Sequence, residues 1–269
     1  MIAERFAGPL AGLLGVLLML FLALPIVALV LRGVAEGGVD GSAWQQPLVD
    51  ALALSLITTA FSLGITVLLG TPLAWLLAHG RMPGARLVEP IIDLPIVLPP
   101  AVAGLALLLL FGRNGPLGGP LAAAGLELPF TTAAVVMAQT FVSAPFYVRA
   151  ARAGFAAVPA EMEDAARIDG AGELAVLRHV SAPLAIGSLS AGAITAWARA
   201  LGEFGATIMF AGSVMGRTQT LPLLVYSQFQ SGLAAALPAA VILIGIALAV
   251  LLGVRLVGGR NVAELRSLG

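Results

Sequence analysis

Residues 158–183 read VPAEMEDAARIDGAGELAVLRHVSAP, a polar segment in an otherwise very apolar chain. Pro159 suits the first turn of a helix, where its missing N–H is not needed. Two glutamates follow at the positive end of the helix dipole, and Gly170 can end the helix in a left-handed conformation. The segment therefore predicts a short helix, a turn and a second short helix from about 172 to 180, which Pro183 ends.

The first of these helices has an unusual surface. Ala165 and Ala166 leave one face nearly flat, so that another protein backbone can approach it closely. Glu163, Asp164 and Asp169 lie close together, and a charged helix face explains them without metal binding or acid–base chemistry. Chemistry alone leaves two interpretations open: a docking surface, or an ordinary helical loop between hydrophobic segments.

The spacing of the small residues favours the docking interpretation. It resembles the EAA loop of ABC importer permeases, whose pattern is Glu-Ala-Ala-x3-Gly-x9-Ile-x-Leu-Pro; here Asp164, Val180 and Ala182 replace the Glu, Ile and Leu. In that family the loop is a coupling helix that docks into a groove on a separate ATPase subunit. The resemblance implies an ATPase-coupling loop that includes Glu163, Asp164, Ala165, Ala166, Gly170 and Pro183.

Composition identifies the environment of the chain. Of its 269 residues, 59% are hydrophobic and 10% are charged, whereas a soluble domain carries about 25% charged residues. Polar groups this scarce cannot cover a surface in water, so we predict an all-α membrane protein. The net charge of zero gives no indication of nucleic-acid binding, and the absence of cysteine excludes disulfides.

All 14 basic residues are arginine. A Walker A phosphate loop requires a lysine, so this chain cannot carry one. If ATP drives the protein, ATP and magnesium must bind to another polypeptide, and no cofactor is expected in this chain.

Six apolar segments are each long enough to cross the hydrocarbon layer, which takes about 20 residues. The first exceeds the apolar run of a cleaved signal peptide, about 7–15 residues, and is interpreted as an uncleaved span. The predicted spans are Leu10–Leu31, Leu52–Ala78, Ile91–Phe111, Phe130–Val148, Leu184–Phe210 and Leu233–Val257.

The arginines orient these spans. In one topology ten arginines fall on one side of the membrane, three fall on the other side and one lies within a span. Since arginine is more frequent on the cytoplasmic side, this distribution predicts that both termini and the polar segment 158–183 are cytoplasmic. The ten arginines on the cytoplasmic side are Arg5, Arg81, Arg86, Arg149, Arg152, Arg167, Arg178, Arg255, Arg260 and Arg266.

The third span opens with the proline-rich run 93–100, DLPIVLPP. Each proline removes a helical hydrogen bond and clashes with the preceding turn. Either the helix starts late, near Pro100, with the prolines at the interface, or the segment is kinked and lines a pore, where protein or water satisfies the freed carbonyls. Similar runs occur in the molybdate and sulfate branch of the permease family.

The fifth span contains two charges four residues apart, Arg199 and Glu203, on one helix face. An unpaired charge at mid-membrane costs a few kcal/mol or more, so pairing is expected. Their role is either a structural ion pair at a helix contact or a position on the translocation path. Neutral hydroxyls such as Thr207 and Thr218 would suit the lining of a path for a doubly charged oxyanion.

This region strengthens the family resemblance. The sequences RALGEFGAT (199–207) and RTQTLP (217–222) resemble molybdate permeases in particular. The prolines, charges and hydroxyls discussed above give a candidate translocation path that includes Pro99, Pro100, Arg199, Glu203, Thr207 and Thr218. Sulfate and tungstate permeases remain alternatives, as does an ion-coupled secondary transporter that uses Glu203.

Nothing in the sequence is typical of an enzyme or a metal site. It has no His-Glu-x-x-His motif, no cysteine nucleophile and no Gly-x-Ser-x-Gly elbow. His79 and His179 both fall in predicted loops and are expected to be solvated there rather than to bind metal.

The resemblance also implies an assembly. We expect the type I ABC importer permease fold in a homodimer, with two cytoplasmic ATPase subunits and an external oxyanion-binding protein, in the cell (inner or plasma) membrane. The expected domains are a first helix with its outer loop (1–50), a transmembrane domain (51–258) with the coupling loop at 158–183, and a short cytoplasmic tail (259–269).

Overall fold

The computed structural model describes residues 2–36 and 45–266, and the side chains of 11–36, 45–250 and 252. The outer loop expected within 1–50 and the tail expected at 259–269 therefore lie partly outside the described residues. The last helix continues into the tail region as far as Arg266.

The described residues are helical almost throughout, with a π-helical turn, Leu177–Ser181, between α8 and α9. The helices are α1 (Ile2–Ala35), α2 (Gln46–Ala78), α3 (Ala85–Val97), α4 (Pro100–Phe111), α5 (Gly118–Ala123), α6 (Thr132–Ala156), α7 (Ala160–Ile168), α8 (Glu173–Val176), α9 (Ala182–Leu184), α10 (Ile186–Leu201), α11 (Gly205–Phe210), α12 (Leu221–Ser231) and α13 (Leu233–Arg266).

Several helices can cross a membrane. By length and composition α1, α2 and α13 each qualify, and two bent pairs, α3 with α4 and the α8–α9 stretch with α10, raise the number to five among the described residues. With 25 residues, α6 is also long enough, because a helix rises about 1.5 Å per residue. Each of the six predicted segments falls on one of these helices or bent pairs.

Four predicted spans are longer than expected, among them the first and the last. The second begins at Gln46, several residues early, because Pro47 can occupy its first turn. The fourth continues to Ala156, because Arg149 and Arg152 at its end pair with carboxylates of α3 rather than facing lipid.

The third and fifth predicted spans are not single helices. Between α3 and α4 the chain turns by 118°, because the prolines end one helix and Pro100 begins the next. A helix does start at Pro100, but another helix, which contains the buried Pro95, precedes it. The segment is therefore kinked as well, and its pore-lining role stays a prediction. The fifth span is bent by 81° where α10 begins, and it is interrupted again between Leu201 and Gly205.

The core of the bundle is α6, which packs along both α2 and α10. Glycines permit this close packing, as is common between membrane helices. A Cβ atom on Gly70 of α2 would lie 2.9 Å from the Tyr147 ring, and one on Gly192 of α10 would lie 2.8 Å from Ala150.

The two ends of α6 define the two ends of the bundle. Near its first residue, Thr132 donates a hydrogen bond of 2.9 Å to the carbonyl of Arg217, in the loop that follows α11. Its last residue, Ala156, leads directly into α7. That loop and α7 therefore lie at opposite ends of the bundle, about 37 Å apart by the length of α6.

Candidate functional site

The polar segment forms an angled pair of short helices, α7 and α8, which we call the elbow (residues 160–176). Pro159 caps α7, and Gly170 adopts a φ of +90° between the helices. Glycine reaches this left-handed region without strain, so the predicted helix and its glycine turn are confirmed.

The second half of the predicted motif differs. α8 has four residues, and the chain continues as the π turn and α9 before bending at Ala185. Pro183 therefore does not end a helix running from 172 to 180. The wider π turn lies directly before Pro183, where a missing N–H and the proline ring disfavour regular α-helical spacing.

Glu163 is the centre of the elbow, and its side chain is 2% exposed. Its Oε1 accepts a hydrogen bond of 2.5 Å from the Ser181 hydroxyl. Its Oε2 lies 2.8 Å from His79 Nε2 and accepts a hydrogen bond of 3.1 Å from Arg167. Glu163 belongs to the charged face of the helix, but that side of the helix is turned inward, and these groups replace water around the carboxylate.

The surroundings of Glu163 keep it ionised. Burial is the strongest influence and raises the pKa of the carboxyl group. The Ser181 hydrogen bond, the positive charge of His79 and the hydrogen bonds from Arg167 and His79 together outweigh burial, so the pKa lies below its ordinary value of 4.5. The elbow is therefore held together around a buried negative charge.

The end of α2 completes this network. Trp75 donates a hydrogen bond of 3.2 Å to Ser181, and its ring lies 4.9 Å from the His79 ring between centroids. The Arg81 guanidinium lies 5.2 Å from the Trp75 ring centroid and pairs with Glu173 of α8. The hydrogen bond from Arg81 is the strongest influence on Glu173 and lowers the pKa of its carboxyl group. Burial raises that pKa by less, and Arg167 lowers it further.

His79 is a second correction. It was expected to be a solvated loop residue, but its side chain is only 20% exposed and contacts Glu163 and Trp75. His179, in contrast, is exposed as expected. Sequence reasoning missed Trp75, His79 and Ser181 as members of the site, because no spacing rule links positions about 100 residues apart; an aromatic residue near the end of a span is the only signal the sequence offers.

The outer face of the elbow is apolar and uncovered. Ile168 is 85% exposed and Leu174 is 77% exposed. Met162 and Ala165 are also exposed, and with Ile168 they follow one another at intervals of three along α7, which places them on one side of the helix. Asp164 lies beside them and pairs with Arg167 at 2.7 Å.

A second group of predicted residues meets where α4 and α11 begin. A Cβ atom on Gly205 would lie 2.7 Å from the Cβ of Pro100, and one on Gly104 would lie 2.5 Å from the carbonyl oxygen of Ala206. The two helix backbones therefore approach each other as closely as glycine permits. Pro99 and Pro100 are themselves exposed. We call this place the broken-helix region.

Arg199 and Glu203 are paired, as predicted. The guanidinium Nη1 lies 2.8 Å from Glu203 Oε2, at an angle outside that of a hydrogen bond, so this contact is an ion pair. Glu203 Oε1 accepts a hydrogen bond of 2.7 Å from the Ala206 N–H, at the start of α11. Glu203 is 1% exposed, whereas Arg199 is 30% exposed.

The two predicted hydroxyls have different surroundings. Thr207 lies on α11 and is fully buried, and its hydroxyl has no hydrogen-bond partner among the described residues. Thr218 lies in the loop after α11, where its hydroxyl accepts a hydrogen bond of 2.9 Å from the Val214 N–H. Pro100, Glu203 and Thr207 thus lie on elements that pack together, and Thr218 stabilises a separate loop.

The fold and the elbow define a class: a membrane-embedded helical protein with an exposed apolar surface at one end. Comparison with known proteins gives the family. The chain belongs to the family described as binding-protein-dependent transport system inner membrane component, whose profile matches residues 70–261.

Individual relatives agree with this assignment. The molybdenum transport system permease protein ModB of Mycobacterium tuberculosis is 42% identical over 239 residues, covering 87% of this chain and 88% of the relative. The molybdate/tungstate transport system permease protein WtpB of Pyrococcus abyssi is 36% identical over 249 residues, covering 92% and 94%.

A solved structure shows the same fold. A chain of a bacterial alginate ABC transporter, crystallised with an alginate pentasaccharide-bound periplasmic protein, superposes with a TM-score of 0.74 over 96% of both chains, at 15% sequence identity. The predicted ABC importer permease fold is therefore confirmed.

Proposed function

We propose that this chain is the permease subunit of an ATP-driven importer of molybdate, working by alternating access. The relatives named above are molybdenum and molybdate/tungstate permeases that match nearly the whole chain. Tungstate and sulfate, which are also doubly charged tetrahedral oxyanions, are the competing substrates.

The elbow is the proposed attachment surface for the ATPase. The observation that carries the proposal is its division into two faces. The inner face is tied to α2 and the π turn through Glu163, and the outer face presents Ile168 and Leu174 without cover. Apolar side chains exposed on an otherwise polar element are typical of a protein interface.

The proposed assembly follows from this surface. Two copies of the chain form a homodimer in the cell membrane, with the elbows and both termini on the cytoplasmic side. Each elbow contacts one ATPase subunit, which binds ATP and magnesium. An external binding protein delivers the oxyanion at the opposite end of the bundle, where the loop after α11 lies.

The mechanism requires two packed states and a bias between them. ATP brings the two ATPase subunits together, and the elbows move with them. Shifting a two-state equilibrium nearly completely takes about 5.5 kcal/mol of differential binding. Because the contacts of Glu163 hold the elbow rigid, its movement shifts α2 and α10 as well. A flexible loop would move without displacing these helices.

The broken-helix region is the proposed part of the translocation path. Its buried Thr207 hydroxyl is a neutral donor without a partner among the described residues, and Pro100 begins a helix beside it. Neutral donors can contact an oxyanion without holding it too strongly for release.

The test is reconstitution of the chain with its ATPase and binding protein in proteoliposomes. We expect radiolabelled molybdate uptake that requires ATP, that excess tungstate reduces strongly and that excess sulfate reduces weakly. Uptake by the purified chain without ATP, driven by an ion gradient, would replace this proposal with a secondary transporter.

Docking has its own test. Ile168→Glu places a charge on the outer face without disturbing contacts within the chain, because Ile168 is 85% exposed. We expect the ATPase to be lost from the complex purified in detergent. Met215→Glu is the matched control: Met215 is also exposed, but it lies in the loop at the opposite end. Retention of the ATPase by Ile168→Glu would contradict the docking role.

A further inference from the structure

His79 lies just beyond the end of α2, and both of its ring nitrogens face oxygen atoms. Nδ1 lies 2.8 Å from the carbonyl oxygen of Trp75. Nε2 lies 2.8 Å from Oε2 of Glu163. A carbonyl oxygen can only accept a hydrogen bond, so Nδ1 must donate.

The carboxylate side of His79 is also restricted to accepting. Ser181 donates to Oε1 of Glu163, and Arg167 donates to Oε2. Both oxygens accept hydrogen bonds, and the pKa of the Glu163 carboxyl group is lowered. The group is therefore an ionised carboxylate, which can only accept, so Nε2 must donate as well. A neutral imidazole has one N–H, and either tautomer would leave a lone pair facing an oxygen at 2.8 Å. The geometry therefore requires the doubly protonated, positively charged ring.

The charges around His79 lead to the same protonation state. The carboxylates on α7 and α8 are Glu163, Asp164 and Glu173, and the two guanidinium groups are Arg167 on α7 and Arg81 after α2. From α2 itself His79 faces the Trp75 ring and carbonyl, and from the π turn the network is joined by the Ser181 hydroxyl. Three negative groups outnumber two positive ones, so the charges around His79 favour its protonated form.

We propose that protonated His79 is the positioning residue through which elbow movement reaches α2, so that the coupling of ATP hydrolysis to transport weakens as the pH on the elbow side rises. This inference rests on the proposed function. Histidine is the side chain that changes charge between about pH 5 and 8, and the 20% exposure of His79 gives protons access. When the proton leaves, one of the two contacts becomes a repulsion.

A second link between α2 and the elbow does not depend on pH. Trp75 donates to Ser181, which in turn donates to Glu163. The elbow therefore stays attached when His79 is neutral, and the loss of coupling is partial. ATP hydrolysis continues while fewer oxyanions are carried per ATP.

The experiment uses proteoliposomes that contain the chain, its ATPase and its binding protein, with ATP trapped in the lumen. Lumenal pH is varied from about 5.5 to about 8, the range in which histidine changes charge, at constant external pH. The measured quantity is molybdate imported per ATP hydrolysed. We expect the wild-type ratio to fall about tenfold across the range, within the usual span of coupling effects.

Three variants isolate His79. His79→Gln should import little molybdate per ATP hydrolysed, at a ratio that does not change with pH. His79→Lys keeps a positive charge throughout the range and should give a higher ratio that changes little. His179→Gln is the matched control, because the chain has two histidines and His179 is exposed and lies outside the network; it should keep the wild-type profile. If His79→Lys does not assemble, Glu163→Gln takes its place. It removes the charge that His79 contacts and should also flatten the pH profile.

A flat wild-type profile would overturn the inference, as would a wild-type profile in His79→Gln or the loss of the profile in His179→Gln. A complex that imports no molybdate with ATP at any pH contradicts the proposed function instead, so the two failures are distinguishable.

Discussion

Two buried glutamates, each four residues from an arginine partner, organise the two ends of the predicted machinery in different ways. Glu163 joins three elements that are distant in sequence, through His79, Ser181 and Arg167. All the polar contacts of Glu203 lie within its own segment, with Arg199 before it and the Ala206 N–H after it. The same local motif therefore serves as a tertiary connection in the elbow and as a local cap in the broken-helix region.

The difference follows from the surroundings. At the polar end of the bundle, side chains from several elements can reach one carboxylate and share water at its edges. Inside a span, where water is absent, a charge must find its partner nearby, and four residues along the same helix is the shortest route. The comparison predicts that disturbing the elbow affects both coupling and stability, whereas disturbing the Glu203 pair affects stability.

The largest effect is expected from Gly170→Val. A β-branched residue at φ +90° costs about 1–3 kcal/mol, which is roughly a five- to 150-fold loss of the correct elbow geometry. ATP-driven uptake should fall to a few per cent of wild type, while the protein still inserts into the membrane. Gly172→Ala is the control, since Gly172 has an ordinary φ of −72° and a Cβ there meets nothing within 4 Å. Ala166→Arg, which places a bulky charge on the alanine face, should also abolish uptake. Full transport by either variant would contradict the role of the elbow in coupling.

The next effect concerns the two glutamate–arginine pairs. Glu203→Gln leaves Arg199 unpaired within a span, at a cost of about 2.5–3.5 kcal/mol by membrane-insertion scales, and should lower the unfolding temperature in detergent. The double variant Arg199→Leu/Glu203→Gln removes both charges and should recover most of that loss. The corresponding double variant Arg167→Leu/Glu163→Gln should not recover, because His79 and Ser181 remain without their partner.

Uptake measured on the same variants distinguishes the two roles left open for the pair in the span. A stable Arg199→Leu/Glu203→Gln protein that still imports its substrate indicates a structural ion pair. A stable protein without uptake would place one of the two residues on the translocation path and would contradict the purely structural role.

A smaller effect is expected from Gly104→Ala. Its Cβ would lie 2.5 Å from the carbonyl oxygen of Ala206, so α4 and α11 must separate. Overpacking of this kind costs about 1–3 kcal/mol, and thermal unfolding should report it. Gly64→Ala, whose Cβ meets nothing within 4 Å, should be neutral or slightly stabilising. Equal unfolding temperatures for the two variants would show that the contact between the broken helices is loose.

The smallest effect is the pH dependence of stability at Glu163. Because the pKa of Glu163 is lowered in the folded protein, its contribution to stability is present above its ordinary value of 4.5 and is lost as the pH falls through the lowered pKa. The difference in unfolding temperature between wild type and Glu163→Gln should therefore shrink below pH 4.5. A difference that stays constant with pH would mean that the charge of Glu163 contributes nothing to the elbow.

Much of the fold could be predicted from the sequence, because lipid imposes strong local rules. Long apolar runs must become helices, and Gly170 must end one; both predictions are correct. The family resemblance rested on spacing within the polar segment, and the family profile confirms it. The prolines before residue 100 predicted a break, but not the 118° turn, since the angle depends on how α4 packs against α11.

The sequence by itself determined that this is a helical membrane protein with a polar, glycine-hinged elbow, because composition and local backbone preferences act over a few residues. Tertiary structure alone decided that His79 and Ser181 meet at Glu163, and that Gly205 lies against Pro100. Those contacts join residues about 20 to 105 positions apart. They depend on how helices pack, which no local pattern encodes.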